Sequence, residues 1–172
     1  MTRLARLLVK ERLLAESGSS AQRRRTREPE RPDSQMVLTP AGLPASLRYS
    51  MAFYRSVLNA SLKLRYLSLR NAVRTVVDRK RSACRSGVHA HGKRAELVAA
   101  FSLLRPFYFR QYRCLFDSLA LIEFLARFGH FPSWVFGVKT DPFGAHCWVQ
   151  DGKHVLNDDF ERVRIFTPIM AV

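Results

Sequence analysis

The 172-residue sequence predicts an α+β domain in which an apolar helix packs on a small antiparallel sheet and is preceded by basic helices. Three observations carry that reading. In RCLFDSLALIEFLARFGHFP, residues 113 to 132, Leu115, Leu119, Ile122 and Leu125 or Ala126 fall on one helical stripe, and Gly129 with Pro132 is a stop signal. The pattern then changes to aromatic and β-branched segments, SWVFGVKT at 133 to 140 and AHCWVQ at 145 to 150, separated by Asp141-Pro142 and Gly144. Finally, Asp151-Gly152 reads as a two-residue hairpin connection, pairing Gln150 with Lys153, Trp148 with Val155 and His146 with Asn157. With 47% hydrophobic residues and 12 Phe, the chain has ample material for one core.

Before that core the sequence divides at about residue 46. Residues 1 to 46 are expected to be a basic tail and linker. MTRLARLLVKERLLAESG is interrupted by Arg6, Lys10, Glu11 and Arg12 before any apolar run reaches signal-peptide or membrane-spanning length, and reads as a short amphipathic helix or a frayed end. SGSSAQRRRTREPERPDSQ, 17 to 35, has no aromatic and no β-branched apolar residue and reads as linker. From 47 to 172 a single domain is expected, with basic amphipathic helices at 47–80 and a core at 94–172. Met51, Tyr54, Leu58, Leu62, Tyr66, Leu69 and Val73 recur at three- and four-residue steps and mark the apolar face of those helices. RKRSACRSGVHAHGKR, 79 to 94, reads as a loop, and 94 to 104 as a helix limited by Pro106.

The net charge of +15 is unevenly placed: residues 1 to 94 hold 21 Lys+Arg against 6 Asp+Glu, and residues 95 to 172 hold 8 against 8. A nucleic-acid reader carries its basic surface where it works, and no nucleic-acid motif accompanies the charge, so nucleic acid is not the expected partner. The basic half reads as a solvated helix face, a docking surface for an acidic partner, or a nucleic-acid or membrane contact. The three cysteines, Cys84, Cys114 and Cys147, are odd in number and lack CxxC spacing, which points to reduced thiols in a cytoplasmic protein.

The chemistry-bearing pattern is a cysteine heading an apolar helix, a histidine 32 residues later on a strand, and an acid 12 residues beyond that. A thiol is a nucleophile only as thiolate, and a helix N-terminus beside an imidazolium lowers its pKa. Arg110 and Arg113 add positive charge. If Cys147 and Val149 face the core, His146, Trp148 and Gln150 share the other face, where the helix start is expected to meet them. In a regular ladder Asn157 faces His146 and Asp158 points away, while Asp159 has the right parity but lies beyond the turn's tight register, so alternation leaves both aspartates open. Gln111 reads either as an oxyanion donor, worth roughly 3 kcal/mol in a transition state, or as an exposed loop residue. Trp148 reads as a core aromatic or a cleft wall, and Cys147 as structural. Asp117 and Glu123 read as helix-surface charges, His130 as a cap or surface residue, and His154 as exposed. His89 and His91 with Cys84 lack a convincing fourth ligand, so no metal is expected.

R-C-L-F-D-S-L-A-L at 113–121, F-G-V-K-T-D-P-F-G-A-H-C-W-V-Q-D-G at 136–152 and L-N-D-D-F-E-R-V-R-I-F-T-P-I at 156–169 together resemble the leader peptidases of lasso-peptide biosynthesis. That family lies in the transglutaminase-like branch of the papain-type cysteine peptidases. The resemblance covers 94–172 and extends weakly from about 47. It implies a transglutaminase-like, papain-type core and a Cys-His-Asp triad at Cys114, His146 and Asp158, with Asp159 as fallback. It also implies removal of the leader from a ribosomally made precursor, no cofactor of the chain's own, and a separate ATP-dependent, asparagine-synthetase-like cyclase. Many single-chain relatives begin with a winged-helix leader-binding domain. Residues 1 to 46 show no strand pattern for one, so either a separate leader-binding protein is the partner or the N-terminus is degenerate. The competing readings are transglutaminase-like acyl transfer to an amine and a non-enzymatic basic protein binding peptide or nucleic acid.

Overall fold

An apolar sequence with no polar face makes a helix that has to be enclosed on every side, and the stretch from Cys114 to Ala126 is enclosed in this way. The computed structural model describes residues 30–38, 42, 46–87, 89–90, 92–108 and 111–172. In chain order the elements are β1 (Ser34–Gln35), α1 (Ser50–Tyr66), α2 (Leu69–Arg85), α3 (Arg94–Leu104), a 3₁₀ turn (Arg105–Phe107), α4 (Cys114–Ala126), β2 (Ser133–Lys139), β3 (Gly144–Asp151), β4 (His154–Val155), α5 (Phe160–Val163) and β5 (Thr167–Ala171). The fold is α+β, as the sequence predicts. Expectations for residues 1–29, for His91 and for Arg110 lie outside the described residues.

The five strands are ordered β1-β4-β3-β2-β5. β1 runs parallel to β4, and the other neighbours are antiparallel. On one face Trp134, Phe136, Ala145, Cys147 and Val149 join a core with Phe116, Leu119, Phe124 and Leu125 of α4, Phe53 and Val57 of α1, and Leu97 and Phe101 of α3. On the other face Val135, Trp148 and Val155 pack with Val163 of α5 and with Phe166. β3 is therefore buried along nearly its whole length, which explains its run of apolar and aromatic residues.

Several local expectations are corrected. Met51, Tyr54, Leu58, Leu62 and Tyr66 face solvent, with Met51 and Tyr66 each 72% exposed, whereas α1 buries Phe53, Ser56, Val57 and Ala60. Ser56 and Ala60 are small, so α1 lies close along α4, and the Arg127 Nε of the helix end donates to Ser56 Oγ at 3.0 Å. Leu69 and Val73 do turn inward. The loop expected from 79 begins later, because α2 continues to Arg85 and stops at Ser86 and Gly87, whose φ of 60° is the left-handed geometry of a helix C-terminus. Ser34 and Gln35, read as linker, are a strand on β4.

The hairpin register is also different. Gln150 pairs with Val155 and Asp151 with His154, so the two turn residues are Gly152 and Lys153. Gly152 has φ 55° at the first turn position, where a type II′ connection places glycine.

Asp117 and Glu123 are not surface charges: they are 2% and 1% exposed. Glu123 accepts from Lys63 Nζ and from an Arg79 guanidinium nitrogen, both at 2.8 Å, and these partners hold its carboxyl below the usual range against the upward push of burial. His130 is buried too, with Arg94 Nε donating to its Nδ1 at 3.3 Å and its Nε2 donating to the Gly92 carbonyl at 3.1 Å.

Glu123→Ala would strand two cations against the core. The expected loss is about 3 kcal/mol of unfolding free energy, read by urea denaturation; a change below about 0.5 kcal/mol would show that the cluster contributes nothing.

Candidate active site

The first turn of α4 is set by a buried carboxylate. Arg113 precedes the helix in an extended conformation, and its N–H donates to Asp117 Oδ2 at 2.6 Å while Asp117 N–H returns a bond to the Arg113 carbonyl at 2.9 Å. The Arg105 side chain pairs with Asp117 Oδ1 and donates to the Tyr108 carbonyl at 3.0 Å. Burial raises the Asp117 carboxyl in spite of these partners. The result fixes Cys114 as the first helical residue, half-buried at the helix start.

β3 brings its residues to the same place by an unusual edge. β4 is two residues long, so the β4-side edge of β3 lacks a strand partner before Val149. Side chains take over. The Ser118 hydroxyl donates to the Cys147 carbonyl at 3.3 Å, Val149 N–H donates to Asn157 Oδ1 at 2.8 Å, and Asn157 Nδ2 donates to Ser118 Oγ at 3.0 Å. Cys114, at the start of the helix that carries Ser118, interacts electrostatically with the side chains of Cys147 and His146 and with the Cys147 backbone. The helix packs on the Cys147 face, not the His146 face the alternation suggested.

The imidazole of His146 is nearly enclosed. Its Nε2 lies 2.6 Å from Asp158 Oδ2, which leaves Nδ1 for the sulfur. The ring packs on Phe166, centroids 5.1 Å apart, and on Trp148 at 6.2 Å and 25°. Gly137 sits opposite His146 in the ladder, and a Cβ there would come within 2.9 Å of the Trp148 ring, so the bare backbone makes room for this stack. Trp148 is a core aromatic rather than a cleft wall: it is fully buried and its indole N–H donates to Gln150 Oε1 at 2.8 Å.

Asp158 reaches the ring because the chain leaves the ladder. After Leu156 N–H bonds the Val149 carbonyl, Asn157 turns inward to serve the β3 edge and Asp158 swings under His146. Asp159 N–H donates to Asp158 Oδ1 at 2.8 Å. The Asp159 side chain instead caps α5 by accepting from Glu161 N–H at 2.9 Å, so it does not meet His146. Gln111 is exposed on the approach to the helix. Tyr112 closes one side, its hydroxyl donating to the Asn157 carbonyl at 2.8 Å.

Electrostatics follow from these contacts. Hydrogen bonding from Cys147 against the cost of burial, then from His146 with its charge, pulls the Cys114 thiol down to about 4. Burial opposes protonation of His146, but the bonds to Asp158 and Cys114 and their charges outweigh it and lift the imidazole to about 9. Asp158 is held below the usual carboxylate range, where the imidazole bond prevails over burial. Both shifts run toward the charged forms of the pair, thiolate and imidazolium.

Sequence reasoning missed Ser118, Asn157, Tyr112, Phe166 and the buried role of Asp117. Of these, Asp117 had a signal, a carboxylate in an otherwise apolar helix. The supports at 118 and 157 act only through the open strand edge, which periodicity does not display.

The model of the transglutaminase-like superfamily matches residues 55–171, and the chain belongs to that superfamily, whose members are generally cysteine peptidases or acyl transferases. No curated protein and no solved structure matches it.

Asp158→Asn removes the carboxylate that lifts the imidazole. The His146 ring protons, followed by NMR, are expected to titrate well below about 9 and toward the ordinary value; an unchanged midpoint would show that Asp158 does not set it.

Proposed function

We propose that this protein is a cysteine peptidase that removes the leader from a ribosomally made lasso-peptide precursor. The observation that carries the reading is the 2.6 Å contact between His146 Nε2 and a buried Asp158 carboxylate, in an imidazole that interacts electrostatically with Cys114 at a helix start. The substrate class rests on the resemblance of the motifs at 113–121, 136–152 and 156–169.

In this mechanism the Cys114 thiolate attacks the scissile carbonyl carbon. The oxyanion is met by the Cys114 N–H at the head of α4 and by the Gln111 side-chain amide. As the tetrahedral species collapses, His146 gives its proton to the leaving amine, and the core departs with a free N-terminus. Water, deprotonated by the now neutral His146, hydrolyses the leader thioester, and the Cys114 thiolate leaves. Asp158 keeps the ring oriented with Nδ1 toward sulfur, and the packing of Phe166 and Trp148 restricts ring rotation. A separate leader-binding protein delivers the precursor and an ATP-dependent cyclase consumes the new amine. The peptidase step itself needs no cofactor and takes place in the cytoplasm.

Cys114→Ala is expected to retain the wild-type circular dichroism and melting behaviour while lowering precursor cleavage on the order of 10⁴-fold or more, with the partner proteins present. Wild-type levels of cleavage would end the proposal. Product mass separates the two chemistries of the superfamily: a free leader carboxylate marks hydrolysis, and an amide-linked leader marks acyl transfer.

The pH dependence follows from the signs of the two shifts. kcat/KM rises as pH climbs through about 4, where Cys114 loses its proton, and falls through about 9, where His146 loses the proton the leaving amine needs. A rising limb near the ordinary thiol value of about 8.5 would instead show that no ion pair forms.

A further inference from the structure

Helix α2 shows how this chain treats a helix face in water. Its inner side buries Leu69, Ala72, Val73 and Val76, and its outer side presents Arg74, Asp78 and Arg81. α1 is built differently. Its inner side enters the core through Phe53, Val57 and Ala60, yet the opposite side carries Met51, Tyr54, Leu58, Leu62 and Tyr66, all between 44% and 72% exposed. A helix that is apolar on both sides belongs inside a protein, and a continuous apolar row left in water marks a surface that is covered in use. From Met51 to Tyr66 the row is about 22 Å long.

Two features specify what covers it. The row is one residue wide and advances in steps of three or four residues. That is the narrow seam one helix offers to another, whereas a helix lying in a bilayer surface buries a broader apolar face. The flanks of the seam are cationic. Arg55 and Arg65 lie exposed on either side of it, the Arg65 guanidinium 5.8 Å from the Tyr66 ring centroid, and α1 contains no Asp or Glu. A second copy of the chain would bring like charges together with no carboxylate between them. The chain's own first residues, MTRLARLLVKERLLAES, offer Leu4, Leu7, Leu8 and Leu14 but hold Arg3, Arg6, Lys10 and Arg12 against Glu11 and Glu16, which is again the wrong sign.

We propose that the outer face of α1 is a docking surface for an acidic amphipathic helix of another protein. Apolar side chains of that helix, spaced at three and four residues, seat between Met51, Leu58 and Leu62, and Asp or Glu on its two flanks pairs with Arg55 and Arg65. Tyr54 and Tyr66 supply aromatic surface, and Tyr, Met and Arg are the residue types enriched where proteins meet. The inference does not rest on the proposed function. Cys114 belongs to α4, which packs on the inner side of α1, so failure of the peptidase reading would leave the docking surface standing.

The test uses the full chain and a display library of helical peptides long enough to span the seam, with leucine fixed at three- and four-residue steps and every other position randomised. Selection on the wild-type chain, with counter-selection on Leu58→Ser/Leu62→Ser, is expected to return peptides with Asp or Glu on both flanks. Their Kd is expected to rise about tenfold or more in the double serine variant. It is also expected to rise with added salt and in Arg55→Gln/Arg65→Gln, which leaves the seam intact and decides the matter if the serine variant fails to fold. Peptides that bind all three chains alike, peptides with Lys or Arg on the flanks, or a selection that returns none would overturn the proposal. Sedimentation equilibrium and flotation with vesicles of phosphatidylcholine and phosphatidylglycerol address the other occupants. A monomer that does not float is expected; a dimer, or vesicle binding, that the double serine variant abolishes would assign the surface to a second copy or to a bilayer and overturn the proposal as well.

Discussion

A strand edge buried without a neighbouring strand has to find other hydrogen-bond partners, and the candidate site is built from the solution adopted at β3. β4 withdraws after two residues. Had it continued, the Cys147 and Val149 backbone would bond to a strand. Because it stops, Ser118 from α4 and Asn157 from the following loop complete the edge, and each also positions a neighbour. Ser118 holds the first turns of α4 against β3. Asn157, by turning inward, sets the direction of the chain from which Asp158 reaches His146.

This edge would be of little use if the helix could shift. Two buried carboxylates fix it at either end: Asp117 ties the start to Arg105 and the Arg113 N–H, and Glu123 ties the later turns to Lys63 of α1 and Arg79 of α2. A wholly apolar helix slides and rotates among similar packings at small cost. A buried carboxylate between fixed cations does not, since any displacement leaves charge unpaired in a dry interior. Glu123 therefore carries the basic helices into register with the sheet, which gives part of the first half's positive charge a structural use.

What the sequence disclosed follows the range of each interaction. Helices, strands and the Cys-His-acid spacing are local patterns, and α3, α4, β2 and β3 lie where those patterns put them. The Cys-His-acid set came from spacing and from the resemblance of three motifs, whereas parity left Asp158 and Asp159 open and put the helix on the wrong face of β3. The errors share one cause: periodicity reports that a face exists, not which face wins. In α1 the row from Met51 to Tyr66 is the more apolar, but Ser56 and Ala60 permit the closer approach to α4, and close approach decided burial. Alternation failed at Asp158 because the ladder ends before it, and the turn moved one residue because Gly152 fits the first turn position. Asp117 and Glu123 were misplaced because their partners, Arg105, Lys63 and Arg79, lie up to 60 residues away.

The surroundings that give Cys114 its character also give it a hazard. A sulfur becomes a good nucleophile toward a carbonyl by being held as thiolate in an open position, and those two properties also make it the first atom to react with peroxide.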